Sequence, residues 1–216
     1  MKLYGYFRSS ATYRVRIALG LKGIDWETAA VDLRAPVSAQ HTDEFRTLNR
    51  QGLVPVLVEG EYPLTQSLAI IEYLEETHPQ PPLLPCSPAE RAAVRALALA
   101  VACDIHPLNN LRVLNYLRTQ LAQDDHAVNA WYAHWIAAGL APLEGEARRL
   151  SGDGRHMYGT SVTLADVCIV PQMGNARRFS CDLAPYPTLC AICAYLESLP
   201  AFARAAPAVQ PDAPRG

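Results

Sequence analysis

The sequence has little excess charge of either sign. Over 216 residues, 19 Lys and Arg stand against 21 Asp and Glu, a formal net charge of −2. No global field exists to draw in nucleic acid or an anionic membrane surface, so neither is expected as a partner. Lysine is nearly absent, at Lys2 and Lys22 only. The other cations are arginines, whose planar fork grips carboxylates, although an Arg- and Ala-rich composition by itself accounts for most of them. Long apolar runs are missing: Ala96–Cys103 is the longest, far short of the roughly 20 residues that a spanning helix needs. Met1-Lys2 leads straight into strand-like sequence, so no leader is expected, and the expected location is the cytoplasm. A disulfide framework is missing too. Cys86, Cys103, Cys168, Cys181, Cys190 and Cys193 are scattered through apolar helical pattern and read as reduced core residues. Cys190-Ala-Ile-Cys193 has redox spacing, but no strand precedes it and no second pair or nearby His completes a zinc site. The histidines lack HExxH spacing, and no metal is expected. Disorder is excluded by a composition that is 50% hydrophobic.

What the sequence does have is two halves of different period. Lys2–Phe7 reads as a strand, Ser9-Ser10 as helix-capping hydroxyls, and Val15, Ile17, Ala18 and Leu21 as one helical face closed by Lys22-Gly23. A second strand over Trp26–Val31 and a short helix over Thr42–Leu48 follow. Val54–Val58 and Tyr62–Leu64, joined through Glu59-Gly60-Glu61, form a hairpin, and Ser67 caps a helix carrying Ile70, Ile71 and Leu74. The order is βαβαββα. Five prolines between Pro79 and Pro88 mark a boundary. Beyond it Arg91–Leu121, Val128–Leu150, Leu164–Phe179 and Thr188–Leu199 are helical, and Thr163-Leu-Ala-Asp166 is a capping box at the head of a buried helix. The reading is an α/β domain over residues 1–80, a linker over 81–87, an all-α domain over 88–206 and a loose tail over 207–216.

Three local features bear on chemistry. At Arg8-Ser9-Ser10 a strand end meets a helix start, where orphan N–H groups, the positive dipole end and a hydroxyl converge. A thiol placed there would ionise, yet the stretch contains no Cys, so the thiolate would come from a ligand. Val54-Pro55 opens a strand, and a cis bond there would turn Val54's N–H and C=O outward to pair with an extended peptide. Gln66-Ser67 at the next helix start would suit a carboxylate. Each feature taken alone also reads as ordinary structure, a helix cap or an edge-strand start. Together they describe a groove for a small peptide with a thiol at its middle and carboxylates at its ends.

These residues carry a resemblance to a known family. Arg8-Ser9-Ser10 with Arg14-Val15-Arg16-Ile17-Ala18-Leu19, Val54-Pro55, Gln66-Ser67-Leu68-Ala69-Ile70-Ile71-Glu72-Tyr73-Leu74, Asp104-Ile105-His106-Pro107-Leu108-Asn109-Asn110, Asn175-Ala176-Arg177-Arg178-Phe179, Asp182-Leu183 and Pro185-Tyr186-Pro187 resemble the zeta class of cytosolic glutathione transferases over nearly the whole chain. The resemblance implies a thioredoxin-like, glutathione-binding N-terminal domain (βαβαββα), an α-helical glutathione-transferase C-terminal domain, and a homodimer. It implies Ser9, Ser10 and Arg8 as the catalytic residues. Ser9, Ser10, Ala11, Gln40, Gln51, Val54, Gln66, Ser67, Asp104, His106 and Asn110 are implied to hold glutathione, and Arg8 and Arg178 a substrate carboxylate. Two departures stand out: many members have Ser-Ser-Cys where this chain has Ser9-Ser10-Ala11, and Tyr13 replaces a frequent Trp. Leu111 stands where a bacterial maleylpyruvate isomerase of the class has Arg.

The activity implied is glutathione-dependent cis-trans isomerisation of maleylacetoacetate to fumarylacetoacetate in aromatic amino-acid breakdown. The thiolate adds to the double bond, the bond rotates, and elimination returns glutathione. Alternatives on the same scaffold are maleylpyruvate isomerisation and dehalogenation of small α-halo acids. A non-enzymatic interaction module would need the fold and not the site, and fold alone does not choose among these.

Overall fold

The computed structural model describes residues 1–34, 36 and 38–214. The chain divides into two compact units, residues 1–82 with 199–216, and residues 83–198.

The first unit is built on a four-stranded sheet in the order β2-β1-β3-β4. β1 (Lys2–Gly5) runs parallel to β2 (Glu27–Ala30) and antiparallel to β3 (Val56–Glu59), which pairs antiparallel with β4 (Tyr62–Thr65). The parallel pair needs a crossover, supplied by α1 (Ser10–Leu21), whereas β3 and β4 need only a tight turn. α2 (Asp43–Leu48) and α3 (Ser67–Thr77) complete the βαβαββα order. Val15, Ile17, Ala18, Ile70, Ile71 and Leu74 are almost wholly buried, as their apolar periods imply, whereas Leu21 at the end of α1 is half-buried.

Several expectations shift. β1 stops at Gly5 rather than Phe7, because residues 7 and 8 turn into α1. A Cβ at Gly5 would lie 2.3 Å from Thr12 Cγ2, so only glycine lets the first turn of α1 lie this close to the strand. Lys22 and Gly23 (φ 68) end α1 as expected. The Lys22 ammonium, however, turns inward to Glu75 (2.5 Å) and the Pro81 carbonyl (2.8 Å). Ser67 is not a cap. Gln66 occupies the cap position at φ 67 without a side-chain capping bond, and Ser67 is the first helical residue.

The second unit is helical: α4 (Pro88–Leu99), α5 (Leu111–Thr119), α6 (Asp125–Leu150), α7 (Leu164–Arg178) and α8 (Pro187–Ser198). The stretch expected as one helix over Arg91–Leu121 is interrupted. Residues 100–105 form a π-helical turn, with His106 N–H bonded to the Val101 carbonyl, and Asn110 restarts the chain as the cap of α5. The capping box ahead of α7 is present. Buried Asp166 accepts from Thr163 N–H (2.7 Å), Thr163 Oγ1 (2.8 Å) and Met157 N–H (2.7 Å).

The unit boundaries differ from the sequence reading. Leu83 and Leu84, placed in the linker, are buried, and the Leu83 carbonyl accepts from Leu164 N–H within the helical unit. α9 (Pro200–Ala205) belongs with the first unit, where it packs on α1. The tail expected to be loose over 207–216 holds a 3-10 turn at Pro207–Val209 and a buried Gln210; residues 215–216 lie outside the described residues. All six cysteines are free, but Cys86 and Cys103 are exposed rather than in the core. Cys103 faces outward from the helical turn over residues 100–105, a matter of helix phase, whereas Cys86 lies in the proline-rich segment before α4.

Candidate functional site

Ser9 is the cap of α1. Its backbone is extended (φ −65, ψ 115), and its Oγ accepts from Thr12 N–H at 3.2 Å. A hydroxyl that accepts in this way still carries a proton to donate. Ser9 therefore combines a donor with the positive end of a 12-residue helix that has no acidic residue in its first turn. That combination stabilises an anion. Ser10 and Ala11, one step on, are buried in α1. Arg8 is exposed at the turn; its guanidinium lies over the Tyr6 and Phe7 rings and donates to the Tyr6 hydroxyl at 3.0 Å.

The peptide-holding candidates of the first unit surround a second helix start. Gln66 Nε2 donates to Gln51 Oε1 at 2.8 Å, which ties the loop before β3 to the head of α3. Asn49 shapes that loop, donating to the Leu53 carbonyl (2.7 Å) and accepting from Gln51 N–H (3.0 Å). Gln66 in the left-handed region costs energy that a glycine would avoid, and such outliers concentrate at binding sites. Ser67 is buried and accepts from the Arg14 guanidinium at 3.5 Å. The Val54–Pro55 bond is cis. Gln40 is buried, and its Oε1 has no hydrogen-bond partner among the described residues. A buried acceptor of this kind is available to a donor. These residues fit a peptide with an ammonium or N–H groups at one side and carboxylates at the other.

The remaining candidates lie in the helical unit. Asp104 is exposed at the π-helical turn, and π-turns recur at functional sites. His106 follows at once. The Asn110 side chain is already engaged as a cap, accepting from Arg112 N–H at 3.1 Å. α6 holds this segment: Trp131 Nε1 donates to the Leu108 carbonyl (2.9 Å) and Asn109 Nδ2 to the Tyr132 carbonyl (3.2 Å). Trp131 did not stand out from sequence, and Asn109 did so only within the Asp104–Asn110 motif, because nothing local marks a residue whose partner is more than 20 positions away. The two adjacent arginines of α7 differ. Arg177 pairs with Glu197 at 2.5 Å. Arg178 is exposed over the Phe179 ring (4.4 Å), which itself stacks on Tyr132 (3.7 Å). Burial pushes the Tyr132 phenol up, and the Arg178 charge opposes that shift.

Comparison with known proteins agrees with this layout. Residues 3–82 match the family model of the glutathione S-transferase N-terminal domain. A probable maleylacetoacetate isomerase of Vibrio cholerae is 54% identical over 98% of this chain and 97% of its own length. The holo structure of a maleylpyruvate isomerase, described as a bacterial glutathione transferase of the zeta class, superposes with a TM-score of 0.96 at 48% identity, covering 99% of this chain and 100% of that one. A maleylacetoacetate isomerase of Methylobacterium extorquens AM1, solved with malonate and glutathione bound, gives a TM-score of 0.94 at 42% identity with both chains fully covered.

Proposed function

Because the chain belongs to the zeta class of glutathione transferases, the family of the maleylacetoacetate and maleylpyruvate isomerases, we propose that it catalyses glutathione-dependent cis-trans isomerisation of a maleyl ketoacid, with maleylacetoacetate as the substrate. The observation that carries this reading is Ser9, a hydroxyl at the head of α1, whose first turn holds no acidic residue.

Bound glutathione supplies a thiolate that adds to the substrate's cis double bond and later leaves it. The chain's own work is electrostatic and positional. The Ser9 hydroxyl and the N–H groups of α1 hold negative charge on sulfur at neutral pH. Gln66, Gln51, Ser67, Val54 and Gln40 are assigned to the tripeptide's ends, and Asp104, His106 and Asn110 are the further glutathione-binding assignments. Arg8 and Arg178 hold the dicarboxylate. The enzyme acts as a homodimer in the cytoplasm, a setting in which six free thiols stay reduced.

A second reading, maleylpyruvate as the substrate, is favoured by the 48% identity to an isomerase of that acid. The purified protein assayed with each maleyl ketoacid decides between them. Turnover of maleylacetoacetate, dependent on glutathione and exceeding that of maleylpyruvate, is expected. No turnover of either acid refutes the isomerase reading.

A further inference from the structure

Phe7 is the second residue of the turn Tyr6–Ser9, which Ser9 N–H closes by donating to the Tyr6 carbonyl at 2.9 Å. Both backbone polar groups of Phe7 are taken by distant partners. Its N–H donates to Asp212 Oδ2 at 2.8 Å, from the far end of the chain. Its carbonyl accepts from Arg16 Nη2 at 2.9 Å, and the same guanidinium donates through Nε to the Ala205 carbonyl at 2.9 Å. Arg16 is 2% exposed, so its fork is committed to these two carbonyls.

The C-terminal segment is built to deliver Asp212 to this place. Gly20 of α1 faces Ala201 of α9, where a Cβ would stand in ordinary contact at 3.4 Å from the Ala201 carbonyl. The Phe202 side chain is wholly buried, and its carbonyl accepts from the Tyr13 hydroxyl at 3.5 Å. Gln210 then donates to the carbonyls of Arg204 and Ala206, each at 2.9 Å, closing the end of α9 and redirecting the chain toward Phe7. Every one of these residues belongs to the first unit.

We propose that Asp212 is a positioning residue of the isomerisation, fixing through Phe7 the turn that presents Arg8 and the Ser9 hydroxyl. Two successive peptides of the turn are held: Tyr6–Phe7 at its carbonyl by Ser9 N–H and at its N–H by Asp212, and Phe7–Arg8 at its carbonyl by Arg16. A carboxylate is a stronger acceptor for a backbone N–H than water or a neutral group, and displacement of a catalytic group by about 1 Å costs on the order of a hundredfold in rate. The inference rests on the reading of Ser9 given above.

Asp212→Ala is expected to lower kcat about tenfold while the calorimetric Kd for glutathione stays within about twofold. The Phe7 amide should exchange with solvent faster. Asp212→Asn keeps a carbonyl acceptor and should recover most of the loss. In the Ser9→Ala background, Asp212→Ala should cost less than it does alone, leaving only the share that passes through Arg8; a purely structural role would add in full. Unchanged kcat in Asp212→Ala, or additive losses in the double variant, overturns the proposal. A Ser9→Ala variant with full activity overturns instead the role of Ser9, and the separate Phe7 amide exchange of Asp212→Ala then still reports whether the tether exists.

Discussion

Two neighbouring arginines on α7 provide the sharpest test of substrate recognition, because the fold gives them different work. Successive helical residues point about 100° apart. Arg177 reaches Glu197 on α8, whereas Arg178 lies over the Phe179 ring. Replacing Arg178 by Ala removes a charge-assisted contact worth roughly 1.5 to 3 kcal/mol to a bound carboxylate, so kcat/KM for a maleyl ketoacid should fall about 10- to 150-fold. The same change removes a cation–π contact of about 0.5 to 1 kcal/mol, and the fold should survive it. Conjugation of a neutral electrophile, which offers no carboxylate, should stay nearly intact. Arg178→Lys should recover only part, because a point charge lacks the bidentate fork. Arg177→Ala breaks a half-exposed ion pair worth roughly 0 to 1 kcal/mol of stability and should leave kcat/KM alone. Steady-state kinetics on both substrate types, with melting curves for each variant, measure all of this. Equal losses on both substrates would make Arg178 a residue of the fold or the glutathione site, and a larger loss at Arg177 would mean the wrong arginine was assigned.

Ser9→Ala should depress kcat by at least tenfold with little change in glutathione affinity, since the hydroxyl acts on sulfur and not on the tripeptide's ends; the ultraviolet thiolate band of the bound cofactor should weaken in step. Gln66→Ala and Ser67→Ala should do the reverse, raising the calorimetric Kd for glutathione several-fold with a modest effect on kcat at saturation. Asp166→Ala strips the acceptor from two buried backbone N–H groups and a hydroxyl and should cost about 2 to 4 kcal/mol in denaturant unfolding. Burial outweighs those donors and raises the Asp166 pKa from 3.8 to about 6. The native state then binds this proton more tightly than the unfolded chain. Its contribution to stability is fully present below pH 4 and is lost as pH rises to 6, so the stability gap between the natural protein and Asp166→Asn should narrow across that window.

The part of the candidate site assigned to glutathione is marked in the sequence by local signals. A hydroxyl before an apolar period marks the head of α1, Val54-Pro55 marks the entry to β3, and the Gln66-Ser67 step marks the head of α3; strand and helix periods alone order these as βαβαββα. Even there, the sequence could not say that Gln66 rather than Ser67 occupies the cap, because that depends on the left-handed backbone at Gln66 and on its pairing with Gln51 across 15 residues. Arg91–Leu121 looked like one helix since a π-turn keeps the apolar composition and changes only the phase, yet that turn is what sets off Asp104 and His106. Cys103 lies within that turn and faces outward.

What the sequence determined by itself was therefore the βαβαββα order of the first unit and the helical character of the second, since both follow from propensities and periods within a few residues. What only the tertiary structure decided was which distant groups meet: Arg177 with Glu197, Lys22 with Glu75, Arg16 with Ala205, and Asp212 with Phe7. The three prolines after Ala206 read as a loose end because proline denies a chain its own helix or ladder bonds. The segment is ordered instead by partners some 200 residues away, and a pairing of that kind leaves no periodicity in the sequence to read.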